Sequence, residues 1–305
     1  MPAAERPDAV ADDVSPEIAV VVVCHDTCDE VLDAVASLPP ADEVERVVVD
    51  AGSTDGTVGA MHATHPDVAV RSLTNVGFGR AANVGIRATD APIVVVANAD
   101  VRFTPGALET LRRRFHDDAE VAAIGPRVVY PDGRIQASAR RHPDVPTAIG
   151  HALLGRIAPS NRWTRRYHER DADPDRPRDV DWLSGCALAL RRSAVDEIGG
   201  FDPGYFLYVE DVDLGQRLRE AGWRVRYEPA AEVSHGVGAS TGQRRLWALT
   251  VHAASLDRYL AARLRGTARL LRPLVPVALA GWVVLTWVSE RLARDGRSTT
   301  GERPT

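Results

Sequence analysis

Β-branched runs that alternate with helical patterns constrain the first part of the chain more than any other feature. Ile18–Val23 is continuous and apolar, as a strand buried on both faces must be. A helical spacing follows at Val31, Leu32, Val35 and Leu38 and stops at Pro39-Pro40. Val44–Val49 is the next strand and closes on Asp50, and the turn-rich 51–57 leads into a short helix. Val68–Leu73 is a third strand, Gly77–Ala88 a glycine-punctuated loop and helix, and Pro92–Val96 a fourth strand ending at Asn98-Ala99-Asp100. Elements alternating at this length suit right-handed crossovers, so residues 16–125 are expected to form an α/β, parallel, Rossmann-like sheet covered by helices. Residues 1–15 are acidic, have no apolar signal-peptide region and are expected to be disordered.

Beyond Pro126 the pattern changes. Arg127–Ala137 reads as a hairpin around Pro131-Asp132-Gly133, 157–180 as a polar, mobile loop, and Trp182–Leu190 as a strand. Ser193–Ile198 is a short helix closed by Gly199-Gly200. A helix over Leu214–Ala221 and a strand over Trp223–Tyr227 precede a loop carrying Val233-Ser234-His235. Residues 241–305 form a helical extension, whose one long apolar run, Leu274–Val288, is interrupted by Pro276 and flanked by Arg265, Arg269, Arg272, Arg291 and Arg294. That run falls short of the roughly 20 residues that span a bilayer and suits an interfacial helix.

Composition excludes several functions. A net charge of −5 gives no reason for nucleic-acid binding, and the absence of lysine rules out a Schiff-base or P-loop lysine. Cys24, Cys28 and Cys186 are too few for a disulfide framework and point to packed thiols in a reducing compartment.

In an open parallel sheet, ligands gather beyond the carboxyl ends of the strands. The polar residues there are Cys24-His25-Asp26, Asp50, Thr74-Asn75 and Asn98-Ala99-Asp100. An aspartate in such a place caps a turn, accepts the imide N–H of a pyrimidine or binds a hard cation. Asp55, before Gly56, suits the cap; Asp50 and Asp100 each end a strand directly. Gly77-Phe78-Gly79-Arg80-Ala81-Ala82 matches a dinucleotide fingerprint. It does not open the fold, however, and Arg71 interrupts its strand, so nicotinamide binding is set aside. Downstream, Glu210, Asp211 and Asp213 follow an aromatic approach. The helix dipole accounts for Asp213, but not for two adjacent acids behind a buried run, where burial raises a carboxylate toward a usable base.

The ordered series Asp50-Ala-Gly-Ser-Thr-Asp55-Gly, Asn75-Val-Gly77-Phe-Gly79-Arg80, Asn98-Ala-Asp100, Asp181-Trp182-Leu-Ser-Gly185, Gly199-Gly200-Phe201-Asp202, Tyr208-Val-Glu210-Asp211-Val-Asp213 and Val-Ser-His235 resembles glycosyltransferase family 2, nearest its rhamnosyltransferase-like group, over about 17–240. The resemblance implies a GT-A domain over 16–240, with a nucleotide-binding half (16–125) and an acceptor half (126–240). It also implies a nucleotide-diphosphate sugar donor, carrying UDP or dTDP, and inversion at the anomeric carbon. On the same footing, Asp50 would hold the pyrimidine, and Asp26, Asn75, Arg80 and Asn98 would complete the donor set. Trp182 and Gly185 would line the donor–acceptor junction. Asp100 and His235 would ligate Mg²⁺ or Mn²⁺, and Asp211 would be the general base, with Glu210 its neighbour or alternate. A glycan or lipid-linked acceptor and peripheral attachment to the cytoplasmic face of the membrane follow from the same group. Two departures stand out: Cys24-His25-Asp26 replaces the usual Asn-Tyr-Asn, and Asn98 replaces the first acid of Asp-x-Asp. A sugar-nucleotide nucleotidyltransferase would want a basic glycine-rich loop near residue 25, and an inactive nucleotide-sugar-binding scaffold would have little use for Glu210-Asp211.

Overall fold

The computed structural model describes residues 16–142, 147, 154, 158, 160–167, 169, 171–236 and 245–299; the tail expected to be disordered lies outside them. β1 (Ile18–Cys24), α1 (Cys28–Ala36), β2 (Glu45–Asp50), α2 (Thr57–Thr64), β3 (Ala69–Ser72), α3 (Phe78–Arg87) and β4 (Ile93–Asn98) follow the expected alternation. Then come β5 (Val101–Phe103), α4 (Ala107–Asp117), β6 (Val121–Val129), β7 (Ala139–Arg140), α5 (Arg162–Tyr167), β8 (Arg178–Asp179) and β9 (Trp182–Leu183). β10 (Ala187–Arg191), α6 (Arg192–Ile198), α7 (Glu210–Glu220), β11 (Arg224–His235), α8 (Arg245–Arg263), a 3₁₀ turn (Gly266–Leu271) and α9 (Leu274–Thr299) complete the order.

The main sheet runs β3-β2-β1-β4-β10-β6-β11-β5, with β8 on β11. β3, β2, β1 and β4 are mutually parallel. In β1 alternate residues serve opposite faces. Val20 and Val22 pack with Val31 and Val35 of α1 and Leu111 of α4. Val21 and Val23 pack with Ala81 and Ile86 of α3 and Leu214 and Leu218 of α7. Gly85 lets α3 lie close on the sheet, since a Cβ there would fall 3.0 Å from Val49 Cγ2.

Topology decides where the site falls. β10 enters antiparallel between β4 and β6, Ala187 opposite Ala97. β11 runs parallel to β6. The start of β10 and the ends of β6 and β11 therefore share the edge where β1, β2 and β4 end. After Asp100 the chain turns back as β5, which pairs antiparallel with β11, Val101 opposite His235.

Several boundaries differ from those read in the sequence. α7 begins at Glu210, so the paired acids are its first turn rather than its approach. β11 continues through His235, which sits on a strand and not on a loop. The run 182–190 is broken at Ser184-Gly185-Cys186 into β9 and β10. The hairpin after Pro126 is a single bridge, Val129 to Ile135, at the end of a central strand. The polar stretch 157–180 contains α5 and β8.

α8 packs on the segment before α7. Ser255 Oγ donates to Leu207 O (2.8 Å), Arg258 pairs with Asp202 (2.9 Å), and Arg263 pairs with Asp213 (3.1 Å) and Glu220 (2.7 Å). Asp213 also takes Arg217 Nε at 2.6 Å. It is thus a buried anchor for two arginines, more than the dipole complement that its position implied. α9 lies along α8, held by Arg272 on Asp257 (2.7 Å) and by Trp282 against His252 (5.7 Å between ring centres). Among the described residues, no helix is long and apolar enough to cross a membrane.

Candidate functional site

The turn that aims the paired acids is built without glycine. Tyr208 and Val209 both take left-handed backbone (φ 66° and 69°). For a buried, β-branched valine this is costly, about 1–3 kcal/mol. Neighbours hold it: Phe206 O accepts from Phe78 N (2.9 Å) at the first turn of α3, and the Tyr208 ring lies tilted against His252 of α8 (5.1 Å between ring centres). Gly77 makes the first contact possible, because a Cβ there would overlap the Phe206 carbonyl. The Gly77-Phe78-Gly79 match therefore serves chain-to-chain packing and leaves the start of α3 covered.

Glu210 and Asp211 leave this turn in different directions. Glu210 is buried (6% exposed) beside Gly79, and its Oε2 has no hydrogen-bond partner. Burial, then the neighbouring Asp211 charge, pushes its carboxyl from 4.5 up to about 8. Asp211 points toward the break between β9 and β10, where Oδ2 accepts from Gly185 N (2.9 Å) and Oδ1 from Val212 N (2.8 Å). Burial raises it too, opposed by those two N–H groups and by the charge of Arg140. Arg140 lies over the Trp182 ring at 4.9 Å and donates to Ala137 O. Trp182 is buried against α7, where only glycine fits at 215.

Next along the edge, His235 Nε2 stands 3.2 Å from Asp100 Oδ1, and its Nδ1 is 2.8 Å from Gln136 Oε1. A neutral ring donating from Nδ1 turns its Nε2 lone pair toward the carboxylate. Two electron-rich atoms at that spacing match neighbouring ligands of an octahedral cation, which at about 2.1 Å each lie roughly 3 Å apart. Gln136 then fixes the ring, as partners behind metal-bound histidines do. No third His, Cys, Asp or Glu joins them into a metal cluster among the described residues. Cys186 sits between the two groups: Asn98 N donates to its carbonyl (2.9 Å), and its thiol, pushed up to about 11 chiefly by burial, feels both Asp211 and Asp100.

The β1–β2–β3 end holds a second cluster. Asp50 is buried (3% exposed), with its oxygens 3.2 and 3.3 Å from Ser53 N, so it shapes the turn after β2. Asp26, in left-handed backbone, accepts from Thr54 N at 2.7 Å. Asn75 Nδ2 meets His25 Nε2 at 3.2 Å. Asp55 accepts from Cys28 N and Thr57 N at the starts of α1 and α2, which favours capping over the functional role that its position also allowed. Arg80 stands apart from both clusters: it is exposed, and its Nε donates to Pro203 O (2.6 Å). The sequence reading did not single out Gln136 or Cys186 at this edge. Gln136 is a lone amide far from His235 in the chain, and no local pattern marks it.

Comparison with known proteins identifies the family and the fold. The model of the glycosyltransferase-like family 2 matches residues 16–267. The N-acetylglucosaminyl-diphospho-decaprenol L-rhamnosyltransferase of Mycobacterium tuberculosis is 40% identical over 245 residues, 76% of this chain and 80% of that protein. The rhamnosyltransferase WbbL of Escherichia coli is 39% identical over 84 residues, 28% of this chain and 32% of that one. Among solved structures, the mannosyltransferase PcManGT from Pyrobaculum calidifontis, in complex with GDP-Man and Mn2+, is similar with a TM-score of 0.55 at 19% identity, covering 97% of this chain and 84% of that chain. The fold is GT-A, and the chain belongs to glycosyltransferase-like family 2, in its rhamnosyltransferase-like group.

Proposed function

We propose that this glycosyltransferase moves a sugar, rhamnose being the favoured one, from UDP or dTDP to a hydroxyl of a lipid-linked glycan, with inversion. The observation that carries the reading is the Asp211 carboxylate, fixed by Gly185 N at the same sheet edge as the Asp100–His235 pair. The named activity of the mycobacterial relative supports the choice of sugar and acceptor.

In this reading the acceptor hydroxyl attacks the anomeric carbon from the side opposite the diphosphate. Its proton passes to the Asp211 carboxylate, the new C–O bond forms, and the old one breaks with its electron pair leaving on the diphosphate. Asp211 suits the task because burial raises its proton affinity while Gly185 N holds one oxygen still. Asp100 and His235 would hold Mg²⁺ or Mn²⁺, which stabilises charge on a diphosphate leaving group. With two protein ligands, the remaining positions fall to donor oxygens and water. Asp50 keeps the pyrimidine role because Ser53 occupies one lone pair on each oxygen and leaves others for an imide N–H. Asp26, Asn75 and Asn98 complete the donor wall, and Trp182 and Gly185 the junction with the acceptor. Arg80 is left out of the donor set, being committed to Pro203 O.

A thermal-shift panel tests the donor. UDP or dTDP at a hundred times its dissociation constant stabilises by about 2.7 kcal/mol. Mn²⁺ should add to this in the parent protein and not in Asp100→Ala. Stabilisation by GDP alone would remove the pyrimidine assignment.

The exposed apolar residues of α9 support peripheral contact with the inner face of the cell membrane. Deleting 273–305 is expected to move the protein from the membrane fraction to the supernatant. Retention in the membrane fraction would assign the attachment elsewhere.

A further inference from the structure

Phe206, Leu246 and Trp247 are exposed (37%, 46% and 40%), and Phe206 lies in the segment that leads to Glu210 and Asp211. Phe206 and Trp247 meet edge to face, ring centres 6.1 Å apart. Their link to the chemistry is short. The Phe206 carbonyl receives the first N–H of α3, the Phe78 ring lies against Gly185, and Gly185 N holds Asp211.

The same patch lies toward the end of the α8–α9 pair at which α9 keeps a free apolar face. Trp282 packs on His252, and Arg272 on Asp257, so the two helices run antiparallel. From the His252–Trp282 contact, Trp247 lies about 7.5 Å back along α8 and Val288 about 9 Å on along α9, in the same direction. Leu274, Leu285 and Val288 are exposed on one side of α9, at 62%, 72% and 40%. Grouped, exposed apolar side chains mark an interaction site, and none of the described helices is fit to cross a membrane. Aromatic side chains half in water beside such a face suit a single hydrocarbon chain whose polar head lies in the site.

We propose that Phe206, Leu246 and Trp247 seat the first part of the hydrocarbon chain of a lipid-diphosphate acceptor, and that the exposed side of α9 conducts the rest of the chain to the bilayer. The proposal rests on the lipid-linked acceptor named above and adds the residues that recognise the lipid.

Two acceptors with the same N-acetylglucosaminyl-diphosphate head test it, one with a long polyprenyl tail and one with a short alkyl tail, both in detergent. Trp247→Ala is expected to lower the long-to-short ratio of kcat/KM about tenfold, the loss of one aromatic side chain's burial, and Trp247→Phe to restore most of it. An unchanged ratio overturns the proposal, whatever happens to the absolute rates. A second arm needs no turnover. A polyprenyl diphosphate carrying a benzophenone near its head is photolysed with the full-length protein, and the labelled peptide is identified by mass. Labels on peptides containing Phe206 or Trp247 support the seat, and labels confined to other peptides overturn it. Absence of transfer to either acceptor, with labelling at Trp247, would count against the proposed reaction and not against the lipid seat.

Discussion

Asp211→Asn is expected to lower sugar transfer by about 10²–10⁴-fold, the usual contribution of one positioned base. The nucleotide-dependent thermal shift should be retained. Asparagine can keep the contact with Gly185 N through its side-chain oxygen and gives up only the one with Val212 N, so a retained thermal shift would separate lost proton transfer from a collapsed site. The companion variant is Glu210→Gln, whose effect lies in the pH dependence of stability. The Glu210 carboxyl goes from 4.5 up to about 8 on folding. A raised acid binds its proton more tightly in the folded state, so its contribution is present below pH 4.5 and lost as the pH climbs toward 8. Chemical denaturation across that window should show the decline in the parent protein and a flatter profile in Glu210→Gln. If Glu210→Gln is the inactive variant and Asp211→Asn retains turnover, the two carboxylates exchange roles.

Gly77→Ala is expected to damage stability and activity together. Gly77 has φ 86° and ψ 167°, a region that side chains avoid at a cost of about 1–3 kcal/mol. An added Cβ would also overlap the Phe206 carbonyl and force that segment off α3. The combined loss should reach at least about 2 kcal/mol, and transfer should fall with it, because Phe206 leads into the Tyr208–Val209 turn. Gly56→Ala is the control. Gly56 has φ 89°, but nothing lies within 4 Å of the added carbon, so it should cost about 1–2 kcal/mol and leave transfer alone in the folded fraction. Equal effects of the two substitutions on activity per folded molecule would show that α3 and the 206 segment need not touch.

The parallel half of the sheet was legible because its signal is local. The run at 18–23 is apolar on both faces, and the helical spacing at Val31 and Val35 places exactly those side chains under β1. The ends of those strands were legible for the same reason, and so was the turn that Asp55 makes with Thr57 N, whereas its bond to Cys28 N was not. What escaped depends on direction and distance. Nothing in 182–190 says that it breaks at Gly185 or that its second half runs against β4, yet that insertion brings Gly185 to Asp211. Gln136 and His235 meet only because β6 and β11 end side by side. The left-handed pair before Glu210 carries no glycine to announce it. Asp213 looked like a helix-end acid because its second arginine, Arg263, comes from the next-to-last helix.

That last contact has a consequence for how the enzyme comes into being. All the main-sheet strands have been synthesised once His235 has been made, but the helix that braces the Tyr208–Val209 turn and pins Asp213 has not. A nascent chain at that stage can assemble its sheet and bring together the β1–β2–β3 end while the Glu210–Asp211 pair is still unaimed. The turn before Glu210 is therefore expected to be fixed only when α8 docks, after the sheet has been made. Proteolytic clipping between β11 and α8, followed by loss of the helical end, would reverse that step, leaving a folded sheet that no longer transfers sugar.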